Sequence, residues 1–170
     1  TFTGTSNTLV DTSTNTVTTL DSVDVIEDIG GNKYATIKIG SQYWMAEDLK
    51  TTRFSNGDKI PTTCPPTLDI TSETSPIYQW AYDGIECNTM DHGRLYTWFV
   101  AGDSRNVCPS GWHVGTDAEW SALISFVGGS TTVGGTTGGA ALKGSGWANA
   151  AGNTNTVGFN VKGSGYRDEP

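Results

Sequence analysis

The chain has little of the chemistry on which most enzymes and nucleic-acid readers depend. Only 16% of its 170 residues are charged, and ten basic residues face eighteen acidic ones, for a net charge of −8. Phosphate backbones are held by Lys and Arg that neutralise them, so this balance disfavours nucleic acid as a partner. It disfavours docking on anionic lipid for the same reason. An acidic surface favours solubility and could hold cations weakly. No apolar run approaches the ~20 residues needed to span a bilayer, so no membrane insertion is expected. There is no His-Glu-x-x-His pair and no Gly-x-Ser-x-Gly elbow, and no glycine-rich stretch ends in the Gly-Lys-Ser/Thr of a phosphate loop. An enzyme is therefore not expected.

Cysteine is also scarce. Cys64, Cys87 and Cys108 are the three present, and none forms a Cys-x-x-Cys pair, which weakens zinc and thioredoxin-like readings. In an oxidising compartment one disulfide and one leftover thiol are expected. Cys64 and Cys87 each lie in an irregular segment rich in turn residues, so the bridge is placed between them. The chain begins at Thr1 without an initiator Met or a leader, as a processed secreted protein would.

What the chain does have is glycine, threonine and tryptophan: 22 Gly and 6 Trp. With so few charges, this suggests a strand- and loop-rich extracellular protein rather than a cytosolic helical enzyme. Its length suits one domain with a real core, plus an extra terminal segment. Residues 1–20 are Thr-rich, with Asp11 their one charge. They read either as a flexible linker or as a strand that must find a sheet to join. The segment is set apart as an N-terminal extension over 1–30, ahead of a domain over 31–170.

Within that domain, YATIKIG (34–40) alternates, with Ala35, Ile37 and Ile39 on one face and Tyr34, Thr36 and Lys38 on the other, as in a half-buried strand. QYWMAEDL (42–49) follows as a second strand entering a helical turn. Residues 50–92 are mostly loop, with a hairpin-type turn at Asn56-Gly57. Leu95, Trp98 and Phe99 have helical spacing, so GRLYTWFVAGD (93–103) predicts a short amphipathic helix stopped by Gly102. Thr116 with Glu119 predicts a capping box that opens a helix carrying Trp120, Leu123, Ile124 and Val127, with Gly128-Gly129 ending it. A Gly/Thr loop follows over 128–139, then a helical turn over 140–143 and a short strand near Phe159 and Val161.

Five collinear segments carry a resemblance. They are IGSQYWMAEDL (39–49), FSNGDKIP (54–61), GRLYTWFVAG (93–102), CPSGWHVGTDAEW (108–120) and ALKGSGW with NTVGFNVKGSGYRD (141–168). Together they resemble the Fibrobacter succinogenes major paralogous domain. The resemblance implies an α+β, C-type-lectin-like fold with short twisted antiparallel sheets, two short helices and long loops. It also suggests a distant likeness to formylglycine-generating enzymes, whose reactive cysteine pair has no counterpart here. Gly115 stands where the family usually has Pro, which is expected to loosen the entry to the helix. The family usually continues past GYRD with further strands and a late cysteine, a plausible partner for Cys108. The domain is accordingly expected to lack its C-terminal strands.

Calcium is the cofactor such a fold suggests. It wants six to eight oxygen ligands, and Asp69, Glu73, Asp83, Glu86 and Asp91 fall in one long loop region; the plainer reading is a solvated acidic loop. For a ligand such as a glycan, Trp147, Asn149, Asn153, Asn155, Tyr166, Arg167 and Asp168 offer an aromatic ring with amide and charged side chains, although Trp147 could equally be core. His113 is expected on a buried strand in a packing or hydrogen-bonding role, and Asp91-His92 in a turn. Trp44, Trp98, Trp112 and Trp120 are expected to meet in one core. The function expected is a secreted or bacterial cell-surface, non-catalytic binding or adhesion module for a glycan or a surface protein. The alternative is a structural subunit of an extracellular filament, linked to copies of itself by strand exchange.

Overall fold

The structure, a computed structural model, describes residues 24–129, 138–144 and 152–165. It is a small α+β domain. Strands β1 (Val25–Glu27), β2 (Lys33–Ile39) and β3 (Gln42–Met45) form an antiparallel sheet in that order. Strands β4 (Gln79–Ala81) and β5 (Arg94–Tyr96) pair antiparallel in a second sheet. Helices α1 (Thr89–His92) and α2 (Trp98–Ala101) are single turns, α3 (Asp117–Phe126) is the one long helix among the described residues, and α4 (Gly139–Leu142) is again one turn.

The β1–β2 turn is organised by Asp28. Its carboxylate accepts from the Gly30 and Asn32 amides, from the Asn32 side chain and, at 2.6 Å, from the Tyr34 hydroxyl. Burial alone would raise this carboxyl; the hydrogen bonds from Tyr34, Asn32 and Gly30 outweigh it and hold Asp28 below its usual range. Tyr34 is fully buried and also accepts from the Lys50 amide. That explains a departure from the expected strand pattern. The Tyr34–Thr36 face of β2, polar by sequence, is the deeply buried one, because the tyrosine hydroxyl is satisfied inside. Ile39 is buried on the opposite face, so both sides of the strand are covered.

The core proper lies beyond β3. Phe54, Ile60, Val100, Val107 and Cys108 form it, with Leu49, Tyr96 and Trp112 packed around it. The Asn56-Gly57 turn is present. The Gly57 amide donates to the Phe54 carbonyl, Gly57 has a φ of +95°, and Arg53 and Lys59 bridge across it. This turn delivers Phe54 and Ile60 to the core from either side.

The segment over 93–103 is half strand. Arg94–Tyr96 pairs with β4, and the helix begins only after Thr97, whose hydroxyl accepts from the Val100 amide. The buried residue of that turn is Val100, while Trp98 is 82% exposed and Phe99 40% exposed. The expected meeting of four indoles therefore does not occur. Trp112 joins the core, Trp44 and Trp120 pair elsewhere, and Trp98 faces solvent.

The capping box of α3 forms as expected. Thr116 Oγ1 accepts from the Glu119 amide and Glu119 accepts from the Thr116 amide. Leu123 is the helix's buried anchor, and Phe126 is 60% exposed.

The two sheets share no strand, and Arg94 of β5 ties the second sheet to the segment that follows β3. Its guanidinium donates to the Lys50 carbonyl and to Gln79 Oε1 and pairs with Glu86. The expected Cys64–Cys87 bond is not formed. All three cysteines are free thiols, with Cys64 and Cys87 exposed on separate loops and Cys108 buried.

Candidate functional site

A groove of about 950 Å³ runs past β3, the 111–115 segment, the start of α3 and residues 159–162. Its floor is aromatic. Trp44 comes from β3, Trp120 from the first turn of α3 and Phe159 from the loop after α4. The Trp44 and Trp120 ring centres are 4.8 Å apart, and Phe159 stands edge-on to both at 5.6 and 6.0 Å. Such tilted and edge-on contacts are the favoured aromatic geometry.

Each ring is held by a local device. The Thr116–Glu119 capping box fixes the first turn of α3 and so the root of Trp120. Gly115 leaves room for the indole pair: a Cβ there would meet Trp120 Nε1 at 2.9 Å and Trp44 at 3.2 Å. Gly115 lets the backbone approach both rings. The Phe159 loop is tied to α4 by Thr154 and Asn155 amides donating to the Ala140 carbonyl and by the Val161 amide donating to Leu142. Gly158, at a φ of +71°, packs against Ile37 of β2.

The rim is polar. His113 Nε2 lies 2.9 Å from Glu119, a carboxylate that the Thr116 amide and hydroxyl, and then His113, hold down to a pKa of about 2. Glu47 pairs with Lys50 at 2.9 Å and Asp91 with Lys162 at 3.7 Å. Asp48 accepts from the Ser164 hydroxyl, yet partial desolvation raises its pKa above the usual range. Cys108 reaches the groove from the core side, and burial pushes its thiol up to about 11, so it is no ready nucleophile.

One wall is backbone. The Ala46 amide donates to the Ala35 carbonyl, which fixes the alternation of the β2–β3 ladder. Ala46, Trp44 and Gln42 turn their peptide groups to β2, and Tyr43 and Met45 turn theirs outward, toward the groove. No other strand among the described residues pairs with that edge.

Trp147, Asn149, Tyr166, Arg167 and Asp168 lie outside the described residues. Asn153 and Asn155 do not line the groove. Asn155 instead accepts from the Asn160 amide and shapes the Phe159 loop, while Asn153 Nδ2 is buried with no partner among the described residues. The five acids proposed for calcium do not converge, and no cluster of three His, Cys, Asp or Glu that could hold a metal exists among the described residues. Asp69 and Glu73 accept from amides two residues on, Glu86 is taken by Arg94, Asp91 faces Lys162, and Asp83 sits in a tight turn at a φ of +54°. Local backbone hydrogen bonds take up Asp69 and Glu73, and Arg94 takes up Glu86. His113 makes its hydrogen bond, but from an exposed position. The groove itself escaped the sequence reading because Trp44 and Trp120 read as core. The glycine directly before the capping box was the available signal.

Among the described residues no helix is long and apolar enough to cross a membrane. No curated protein and no solved structure matches the chain. The model of one family, the Fibrobacter succinogenes major domain, matches residues 37–170, which takes in β3, the 111–115 segment, α3 and the Phe159 loop. The chain belongs to the Fibrobacter succinogenes major domain family.

Proposed function

We propose that this is a non-catalytic binding module of a bacterial cell surface or secreted protein, with a C-type-lectin-like architecture, and that its groove receives a carbohydrate. The observation that carries the reading is the Trp44–Trp120–Phe159 floor beneath a rim of carboxylate, imidazole and ammonium groups. Sugar rings present apolar faces that stack on aromatic side chains and hydroxyls that exchange hydrogen bonds with such a rim. Trp120 is 40% exposed, so part of its ring is open to a ligand. A glycan array probed with the full chain tests this. Binding to at least one glycan class is expected, and Trp120→Ala should abolish it while the protein keeps a cooperative unfolding transition. A blank array, or binding indifferent to Trp120→Ala, would refute it.

A second reading, a structural subunit of an extracellular assembly, is favoured by the outer edge of β3, which no strand among the described residues pairs. An unpaired strand edge is a template for another chain unless something covers it. Concentration-dependent size in light scattering supports this reading, and a monomer at all concentrations removes it.

A further inference from the structure

From the outer edge of β3, which no strand among the described residues pairs, we infer that an extended strand is accepted there in place of the carbohydrate of the first reading, and that the strand is the Thr-rich segment over 1–20 of a second copy of this chain. The inference rests on the assembly reading and names its acceptor and donor. On the acceptor side, the ladder register leaves the N–H and C=O of Tyr43 and Met45 pointing out of the sheet, and both residues line the groove. Tyr43 is 57% exposed, so the edge is reachable. A strand laid there gains backbone hydrogen bonds at both residues and sends alternate side chains toward the groove.

On the donor side, residues 1–20 have no proline to interrupt a ladder and no Lys, Arg or Glu, with Asp11 their one charge. They therefore bring almost no like-charge repulsion to a groove rimmed by Glu47, Asp48, Asp91 and Glu119. Thr and Val suit a pleated strand. Twenty extended residues reach roughly 66 Å, far beyond what a four-residue strand needs, which leaves a tether between two copies. In its own chain the segment leads into β1, the opposite edge of the sheet from β3. A head-to-tail link of this kind leaves each copy with one donor and one acceptor, so the assembly grows open-ended.

The test uses the full chain with Cys64 and Cys87 changed to serine. One population carries cysteine at Thr8, Thr12 or Thr16, and a second carries Tyr43→Cys. On mixing and mild oxidation, covalent dimers are expected in the mixture and not in either population alone. Met45→Pro in the acceptor should abolish them, because it removes an outward N–H while the bonds to β2 remain. The same Met45→Pro change in the otherwise unaltered chain should weaken self-association roughly tenfold or more, the worth of one or two backbone hydrogen bonds. Self-association without mixed cross-links would overturn the inference and leave the assembly reading standing. A chain that never associates overturns both. Cross-linking within single chains, in a dilute double variant carrying Thr12→Cys and Tyr43→Cys, would overturn the assignment to a second copy. If Met45→Pro does not fold, the cross-linking arm still decides.

Discussion

A Cβ placed on Gly115 would lie 2.9 Å from Trp120 Nε1, closer than real Cβ atoms come to a neighbour. The glycine and the indole are thus fitted to each other across the start of α3. Gly115→Ala should force the indole pair apart and cost about 1–3 kcal/mol, the usual range for overpacking. Urea unfolding measures it. Because the Trp120 and Trp44 rings are in contact, their near-ultraviolet dichroism should change as well; an unaltered spectrum with wild-type stability would show that the rings have slack.

Tyr34 is buried with its hydroxyl shared between Asp28 and the Lys50 amide. Tyr34→Phe keeps the ring and leaves both partners short of a bond. The expected loss is about 1–3 kcal/mol, the penalty for unsatisfied buried polar groups. Chemical denaturation with an unchanged slope would confirm it, and a loss below about 0.5 kcal/mol, the low end for one hydrogen bond, would mean that water reaches the pair.

Glu119 has a carboxyl depressed to about 2 by Thr116 and His113. A folded-state pKa below the unfolded one adds stability at pH values above the unfolded pKa, and that stability is lost as the pH falls toward the folded one. Glu119→Gln should therefore lower the melting temperature at pH 7, with a gap to the native chain that narrows from about pH 4.5 downward and closes near pH 2. A gap independent of pH would assign the effect to the shape of the cap and not to its charge.

The three thiols should separate by reactivity. Cys64 and Cys87 are exposed, whereas Cys108 is buried with its pKa pushed up to about 11. At pH 8 an aromatic disulfide reagent should titrate two thiols per chain quickly and the third only after denaturant is added. Fast reaction of all three would contradict the burial of Cys108, and no fast reaction would show that Cys64 and Cys87 are joined after all.

The sequence carried the local elements well where one segment contained its own instructions. Thr116 and Glu119 announced α3, Asn56-Gly57 announced its turn, and alternation over 34–40 announced β2, each through contacts made within a few residues. It misled where partners come from afar. Arg94–Tyr96 has helical neighbours but is drawn into a ladder by Gln79–Ala81, and Tyr34 looked solvent-facing because Asp28 and Lys50, its reasons for burial, are not visible in a two-residue period. The groove was hidden for a related reason. An indole in a core and an indole on a shelf have the same spelling, and only the spacing of Trp44, Trp120 and Phe159 in space tells them apart. The five loop acids are not gathered into one group, and Asp69 and Glu73, which cap their own backbone, look the same in one dimension as carboxylates that are free.

Arg94 has a consequence for how this domain can vary. By clasping Lys50, Gln79 and Glu86 it closes the two ends of a long excursion of chain, so the tip of that excursion near Asp69–Ser75 is relieved of any duty to hold the sheets in place. Lengthening such a tip costs little, because closure entropy grows only with the logarithm of loop size. Foreign peptides grafted there would be carried on a stable frame, and the same freedom gives evolution a place to add reach without redesigning the frame beneath.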